Sequence, residues 1–235
     1  MATEVQPEEY QTFMWVVAHP DDAEFSSAGT ISKLAAEGKK TVIIQVTSGN
    51  RGTSDRTFTP ETLAATRESE ETEAVRRMGA GELVFLHQPD GALVADLDLR
   101  EKIVRMIRTY RPDVIITHDP FRPYALHPDH RAVGMATHDA VYPTARDHLY
   151  YPQHLEAGLE PHKTAEIWYF GADDPDKFID ITDTFDTKID ALKAHKSQVG
   201  EAVELAGRLR ERAAEVAENQ PFELAESFKT IKMLR

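Results

Sequence analysis

Short apolar runs recur along the chain and alternate with segments that have a helical pattern of apolar positions. Each run has the length of a buried strand. The runs are Phe13–Ala18, Thr41–Val46, Leu83–Leu86, Asp113–Thr117, Ile167–Phe170 and Phe178–Ile181. Strands that alternate with helices favour a mostly parallel sheet with helices on both faces. We therefore predict a Rossmann-like α/β fold, in which a ligand binds beyond the carboxyl ends of the strands.

Three of the intervening helices have recognisable ends. The first is predicted over residues 26–37 and stops at a glycine. The second is predicted over residues 59–79, where Thr59 is the cap and proline occupies the first helical position. The third follows Asp96 and closes at an Arg-Pro step, because the residue before proline disfavours helix.

The remaining segments are predicted to belong to a single domain that spans residues 1–235. Residues 1–12 are a polar N-terminal extension, and residues 183–235 read as a charged helical tail. Residues 142–163 are rich in proline and aromatic residues, which predicts a long excursion over the sheet. If the protein is a homo-oligomer, this excursion is our candidate interface.

The amino-acid composition excludes two classes of binding partner. The 235 residues include 27 Lys plus Arg against 40 Asp plus Glu, a formal net charge of −13. Such an acidic chain repels phosphate backbones and anionic lipids, so we expect neither nucleic acid nor a membrane as a partner. The N-terminus lacks the basic start and apolar stretch of a signal peptide, which predicts a cytoplasmic protein.

Two polar motifs follow predicted strands. His19 to Glu24 (HPDDAE) comes directly after the first strand, and His127 to His130 (HPDH) comes after a later strand and a proline-rich loop. Pro128 suits the first position of a helix, which places His127 at the cap and His130 in the first turn. Because parallel strands end at the same edge of a sheet, we expect the motifs to meet there.

The residue types in these motifs favour a metal site. With no cysteine in the chain, a metal must be held by His, Asp or Glu. Two imidazoles and one carboxylate form the set that catalytic zinc prefers, with a fourth position for water. Asp21, and either His127 or Asp129, remain for proton transfer in the hydrolysis of an amide or ester. A His-Pro-Asp step can be a simple turn, but its occurrence twice, each time after an apolar run, favours a site.

At these residues the chain resembles the LmbE-like, PIG-L-type N-acetylglucosaminyl deacetylases, a family of zinc hydrolases that includes the mycothiol- and bacillithiol-pathway enzymes. The segment from Ala18 to Ile31 is similar to the first signature of the family, and the segment from His127 to Ala132 is similar to the second. The HPDDAE sequence matches the bacillithiol-type subgroup rather than the mycothiol-type HPDDE. Asn50 stands where relatives often have Glu, so the resemblance says less about the substrate.

The resemblance implies a role for each residue of the motifs. The implied ligands of zinc, or alternatively of Fe²⁺ or Co²⁺, are His19, Asp22 and His130. Asp21 would be the general base for the metal-bound water. His127 would stabilise the oxyanion and protonate the amine, while Asp129 would orient the His127 imidazole.

Two residues outside the motifs are candidate substrate ligands. In similar enzymes an arginine at the position of Arg67 and an aspartate at the position of Asp90 hold sugar hydroxyls. The alternative for Arg67 is a surface pair with Glu70 or Glu71, although Arg67 falls on a stripe of apolar residues. The alternative for Asp90 is a plain Pro-Asp-Gly turn.

The sequence thus predicts a zinc hydrolase that removes an acetyl group from a small N-acetylated amino sugar or its conjugate. One alternative is a different metal-dependent amide or ester hydrolase on the same scaffold. A second is a non-catalytic ligand-binding module, for example one that binds nucleotides. It is disfavoured because no glycine-rich phosphate loop follows the first strand.

Overall fold

The computed structural model describes residues 10–199 and 203–233. All six predicted strands are present, and within the described residues a seventh joins them. The strands are β1 (Thr12–Val17), β2 (Lys40–Thr47), β3 (Glu82–Gln88), β4 (Val114–His118), β5 (Glu166–Phe170), β6 (Lys177–Asp180) and β7 (Ala225–Lys232). They form one sheet in the order β3-β2-β1-β4-β5-β7-β6. Strands β1 to β5 pair in parallel, which confirms the Rossmann-like fold.

Helices connect these strands. They are α1 (Asp22–Ala36), α2 (Pro60–Met78), α3 (Leu97–Tyr110), α4 (Pro128–Asp139), α5 (Gln153–Glu156), α6 (Phe185–Leu192), α7 (Lys196–Val199) and α8 (Val203–Val216), with a π-helical turn at Ala140–Ala145 and a 3₁₀ turn at Thr182–Thr184. The ends of α2 and α3 are as predicted, and the Thr59 and Asp96 side chains cap them. Helix α1 begins four residues before its predicted start, within the HPDDAE motif. A non-helical residue, Ser27, interrupts α1, so its apolar pattern is regular only after that point.

The prediction of a helical tail over residues 183–235 is wrong at its end, because β7 lies there. Strand β7 runs antiparallel between β5 and β6. Its Glu226 is buried and accepts hydrogen bonds from the backbone N–H groups of Gly29 and Thr30 and from Lys188 Nζ. A charged residue of the predicted helical tail is therefore paired inside the protein.

The predicted N-terminal extension is also shorter than expected. Tyr10 is buried and donates a hydrogen bond to Glu166, and β1 already begins at Thr12. The part of the extension before residue 10 lies outside the described residues.

Both faces of the sheet are covered, as predicted. Alternate side chains of β1 enter two separate hydrophobic clusters, with Trp15 in one and Val16 in the other. Such burial on both sides explains why the strands read as continuous apolar runs rather than as alternating ones. No helix in the described ranges is long and apolar enough to span a bilayer.

The irregular segment predicted over residues 142–163 is anchored to α3 by a buried guanidinium. Arg108 donates hydrogen bonds to backbone carbonyls of this segment, those of Thr144, Ala145, Asp147, Tyr150 and Tyr151. Its planar guanidinium has enough donors to serve several carbonyls at once. One arginine therefore replaces the regular hydrogen bonds that a helix or strand would provide.

Candidate metal centre and active site

The two polar motifs meet at one edge of the sheet. Strands β1 and β4 are parallel neighbours, so the segments that follow them emerge side by side. His127 caps α4 as predicted, with Pro128 at the first helical position, and its Nδ1 accepts a hydrogen bond from the Asp129 N–H (3.2 Å). His130 then lies in the first turn, facing His19.

Three residues converge between the motifs, through His19 Nδ1, His130 Nε2 and both oxygens of the Asp22 carboxylate. His19 Nδ1 lies 3.2 Å from His130 Nε2 and 3.4 Å from Asp22 Oδ2, and His130 Nε2 lies 3.1 Å from Asp22 Oδ1. A tetrahedral zinc ion with bonds of about 2.0–2.2 Å keeps its ligand atoms about 3.3–3.6 Å apart. The nitrogen and oxygen donors of these three residues lie at nearly this spacing, which is compatible with a zinc ion.

The other side of the His19 ring faces two carboxylates. Its Nε2 lies 3.2 Å from Asp129 Oδ2 and 3.3 Å from Asp90 Oδ1. Burial lowers the pKa of His19, but hydrogen bonds with Asp22 and Asp90 outweigh this effect and raise it to about 10. The negative surroundings thus favour positive charge at this position, whether a proton or a metal cation supplies it.

The contacts of Asp129 differ from the expected ones. Its buried carboxylate accepts hydrogen bonds from the N–H groups of Gly91 (2.7 Å) and Leu93 (3.2 Å). These bonds direct the carboxylate to His19, whereas the sequence predicts that it orients His127. Only the Asp129 backbone N–H bonds to the His127 ring. We therefore correct the partner of the Asp129 carboxylate from His127 to His19.

Asp21 directly precedes Asp22 in the chain, and its side chain binds Arg67. Its carboxylate accepts a hydrogen bond from Arg67 Nη2 (3.1 Å). Burial, with the negative charge of Asp22, raises the pKa of Asp21 to about 7 against the opposing effect of Arg67. A carboxylate that titrates near neutral pH suits a general base.

Arg67 is buried, with 4% of its surface exposed, and it binds protein groups. Besides Asp21, it donates to the carbonyls of Gly49 (2.9 Å) and Pro20. The alternative of a surface pair with Glu70 or Glu71 is not realised. That Arg67 holds a sugar hydroxyl remains a prediction, and its contacts in the structure are with Asp21 and the carbonyls of Gly49 and Pro20.

Asp90 also lies inside the site rather than in a plain exposed turn. Its Oδ2 accepts a hydrogen bond from the Arg51 N–H (2.7 Å), while its Oδ1 faces His19. Burial raises the pKa of Asp90, but the hydrogen bonds from His19 and Arg51 overcome this and lower it. Its contact with a sugar hydroxyl remains a prediction.

One residue of the site was missed by the sequence reasoning. His118, the last residue of β4, is 5% exposed, and its Nε2 lies 3.3 Å from Asp22 Oδ2. Its ring stacks on that of His130, with 4.1 Å between centroids. The position of His118 in the sequence could have identified it, because a histidine that ends a buried strand lies at the edge of the sheet where ligands bind.

A fully buried cluster lies behind Asp21. It consists of Glu24, Glu71 and His195, whose Nε2 lies 3.6 Å from Glu24 Oε2 and 3.7 Å from Glu71 Oε2. Burial and the charge of Glu24 raise the pKa of Glu71 well above its usual range. His195 is not among the three residues that converge between the motifs.

A cavity of about 470 Å³ reaches Asp22 and His130, whereas His19, Asp21, His127, Arg67 and Asp90 are not among its lining residues. Asp22, His118 and His130 line its inner end, and Phe25 and Phe170 line its apolar part. Residues of α8 close its outer side, so the C-terminal tail contributes to the candidate substrate site. A cavity of this size accommodates a small ligand.

The family model of the GlcNAc-PI de-N-acetylases (PIG-L) matches residues 14–141, just over half of the chain and both motifs. The chain belongs to the PIG-L family. Among curated proteins, a diacetylchitobiose deacetylase from Thermococcus kodakarensis is 34% identical over 185 residues, which cover 79% of this chain and 69% of the relative. A probable N-acetyl-α-D-glucosaminyl L-malate deacetylase 2 from Bacillus cereus is 31% identical over 188 residues, which cover 78% and 81%.

The fold of this PIG-L family member also matches a solved structure. The N,N'-diacetylchitobiose deacetylase from Pyrococcus horikoshii, in complex with its inhibitor MPG, superposes with a TM-score of 0.90 at 28% identity. The match covers 96% of this chain and 85% of the other. The proteins that are similar to this chain are named deacetylases, which agrees with the resemblance seen in the motifs.

Proposed function

We propose that this chain is a zinc-dependent hydrolase that removes an acetyl group from an N-acetylated amino sugar or its conjugate. The observation that carries the proposal is the convergence of donor atoms from His19, Asp22 and His130 at 3.1–3.4 Å, with Asp21 next to Asp22 in the chain. The names of the relatives support the substrate class. A small cavity that reaches Asp22 and His130 supports a small-molecule substrate.

Asp21 is the general base of the proposed reaction. His19, Asp22 and His130 would hold the zinc ion, which would lower the pKa of a water to about 7 and polarise the amide carbonyl. Asp21 accepts the proton of the attacking water, and its pKa of about 7 leaves much of it ionised at neutral pH. Arg67 holds the Asp21 carboxylate in place through Nη2.

His127 stabilises the oxyanion of the tetrahedral intermediate. Since its Nδ1 accepts a hydrogen bond from the Asp129 N–H, the proton of the neutral ring is on Nε2. That N–H is a hydrogen-bond donor for the oxyanion, and the leaving amine takes up the proton that Asp21 has accepted from the water. The ring is exposed at the mouth of the site, 4.5 Å from the His19 ring between centroids, where a substrate amide can reach it.

Asp129 and Asp90 set the orientation of His19. Both carboxylates face Nε2, which leaves Nδ1 for the metal. Hydrogen-bonded carboxylates of this kind fix the tautomer of a ligating histidine and increase its basicity. In this proposal Asp129 acts on the metal ligand rather than on the oxyanion donor.

The test combines metal analysis with a substrate panel. The purified protein should contain one equivalent of zinc, and the His130→Ala variant should lose it. Acetate release is then compared for N-acetylglucosamine, N,N'-diacetylchitobiose, simple acetamides and acetate esters. Activity confined to the acetylated sugars supports the proposal. Equal activity on simple amides or esters contradicts the substrate class, and a metal-free active protein contradicts the mechanism.

A further inference from the structure

The peptide group between Pro20 and Asp21 is held by two residues of α2. Its carbonyl oxygen accepts a hydrogen bond from Arg67 Nη2, and its N–H donates to Glu71 Oε2 (3.2 Å). Arg67 and Glu71 are four residues apart, so they are neighbours on one face of the helix. That helix face therefore binds both polar atoms of a single peptide group, the one that leads into the proposed general base.

The backbone conformation held in this way is unusual. Asp21 has φ 100° and ψ −21°, a left-handed conformation that residues other than glycine rarely adopt. Such a conformation persists only where the surroundings hold it, and it is often found at active sites. Asp21 is also the N-cap residue of α1, yet its side chain makes no capping bond and is directed to Arg67 instead.

Glu71 has no other visible use for its hydrogen-bonding capacity. Its side chain is fully buried, its Oε1 has no hydrogen-bond partner among the described residues, and His195 Nε2 is 3.7 Å from Oε2. A buried polar group is costly to retain unless it is hydrogen-bonded. The hydrogen bond that it does accept comes from the backbone of Asp21.

We propose that Glu71 is a positioning residue for Asp21, holding the Pro20–Asp21 peptide so that the carboxylate faces the attacking water. The inference rests on the proposed function, in which Asp21 is the base. Without the Glu71 acceptor, the peptide rotates, φ of Asp21 relaxes to a negative value and the carboxylate leaves its place. The metal ligands have their own contacts, because Asp22 Oδ2 accepts a hydrogen bond from the His19 N–H (2.7 Å).

Three variants separate this role from a merely structural one. Glu71→Met removes the acceptor at similar length, Glu71→Gln keeps an acceptor oxygen, and Glu71→Asp withdraws the acceptor by one methylene while keeping the cluster polar. We expect Glu71→Met and Glu71→Asp to lower kcat for acetylated sugar by about 10- to 100-fold, the effect of a displaced catalytic group. KM and zinc content should stay at the wild-type values, and Glu71→Gln should recover most of kcat. Glu71→Asp carries the test if the Met variant does not fold.

The matched control is Glu70→Met. Glu70 is the preceding residue of α2 and also accepts a backbone hydrogen bond, but from Ser197 (2.8 Å) rather than from Asp21. This variant should keep the wild-type kcat. Crystal structures supply a readout apart from activity, since φ of Asp21 should be negative in Glu71→Met and remain left-handed in Glu71→Gln.

Four results would overturn the inference. They are wild-type kcat in Glu71→Met and Glu71→Asp, a left-handed Asp21 in the Glu71→Met crystal, a Glu71→Gln variant as slow as Glu71→Met, and a second equivalent of metal that Glu71→Met loses. The Asp21→Asn variant distinguishes a failure of the proposed function from a failure of the positioning role. If Asp21→Asn keeps full activity, the proposed base is wrong; if it is slow while Glu71→Met is not, only the positioning role fails.

Discussion

His118 Nε2 lies 3.3 Å from Asp22 Oδ2 and accepts a hydrogen bond from the Ala18 N–H (3.2 Å), so a histidine at the end of β4 contacts both β1 and a carboxylate that begins α1. Asp22 follows β1 and His118 ends β4, the neighbouring parallel strand. Neither side chain is exposed. Groups that contact a metal ligand in this way fix its orientation and tune its affinity. His118 therefore belongs to the candidate metal centre although it lies outside both motifs.

We predict that His118→Gln weakens zinc binding by about 10- to 100-fold, the usual effect of losing a group that supports a ligand. The measurement is competition with a chromophoric chelator. His148→Gln is the matched control, because His148 is exposed and lies in the excursion. Equal zinc affinity in the two variants would show that Asp22 does not depend on His118.

Asp21→Asn should retain stoichiometric zinc and lose about 10²- to 10⁴-fold in kcat, since the amide cannot accept a proton from water. Metal analysis and acetate release measure the two effects on the same sample. Asp186→Asn, which changes an aspartate that is almost fully exposed on α6, should leave both quantities unchanged. Wild-type turnover in Asp21→Asn would remove Asp21 from the mechanism.

Asp129→Asn tests the corrected contact between this carboxylate and His19. The present oxygens accept hydrogen bonds from the Gly91 and Leu93 N–H groups, so an amide NH₂ in either place leaves a buried donor unpaired. We expect the free energy of unfolding to fall by about 1–3 kcal/mol, together with weaker zinc binding through His19. Urea denaturation and chelator competition measure these changes. Wild-type zinc affinity would argue against a role at His19.

Glu226→Ala tests the link between β7 and α1. The variant leaves the Lys188 ammonium buried without its carboxylate (Nζ to Oε1, 2.6 Å) and frees two backbone N–H groups of α1. Breaking a buried ion pair from one side costs about 3–5 kcal/mol. Urea denaturation should show a loss of this size, whereas Glu218→Ala, which alters an exposed residue, should show almost none. A loss below about 1 kcal/mol, the value of a surface pair, would contradict this account.

Much of the site was predictable because its residues sit in two short motifs next to strands. The apolar runs identify β1 and β4, and the parallel arrangement then brings His19 and His130 together. The same rule, that ligands bind at the carboxyl ends of parallel strands, also predicts His118, because this residue ends β4. Asp90 and Arg67 were located by family resemblance, but their partners were not, because these partners come from distant loops and turns.

The sequence by itself determined the α/β fold and the chemistry of the donor set, since both depend on local periodicity and on residue types within a few positions of one another. Only the tertiary structure decided which carboxylate faces which histidine, that Arg67 and Glu71 hold the Pro20–Asp21 peptide, and that the last part of the tail is a strand. These features depend on contacts between residues far apart in the chain. The sequence does not distinguish a buried glutamate such as Glu226 from an exposed one, because its partners are brought to it only by folding.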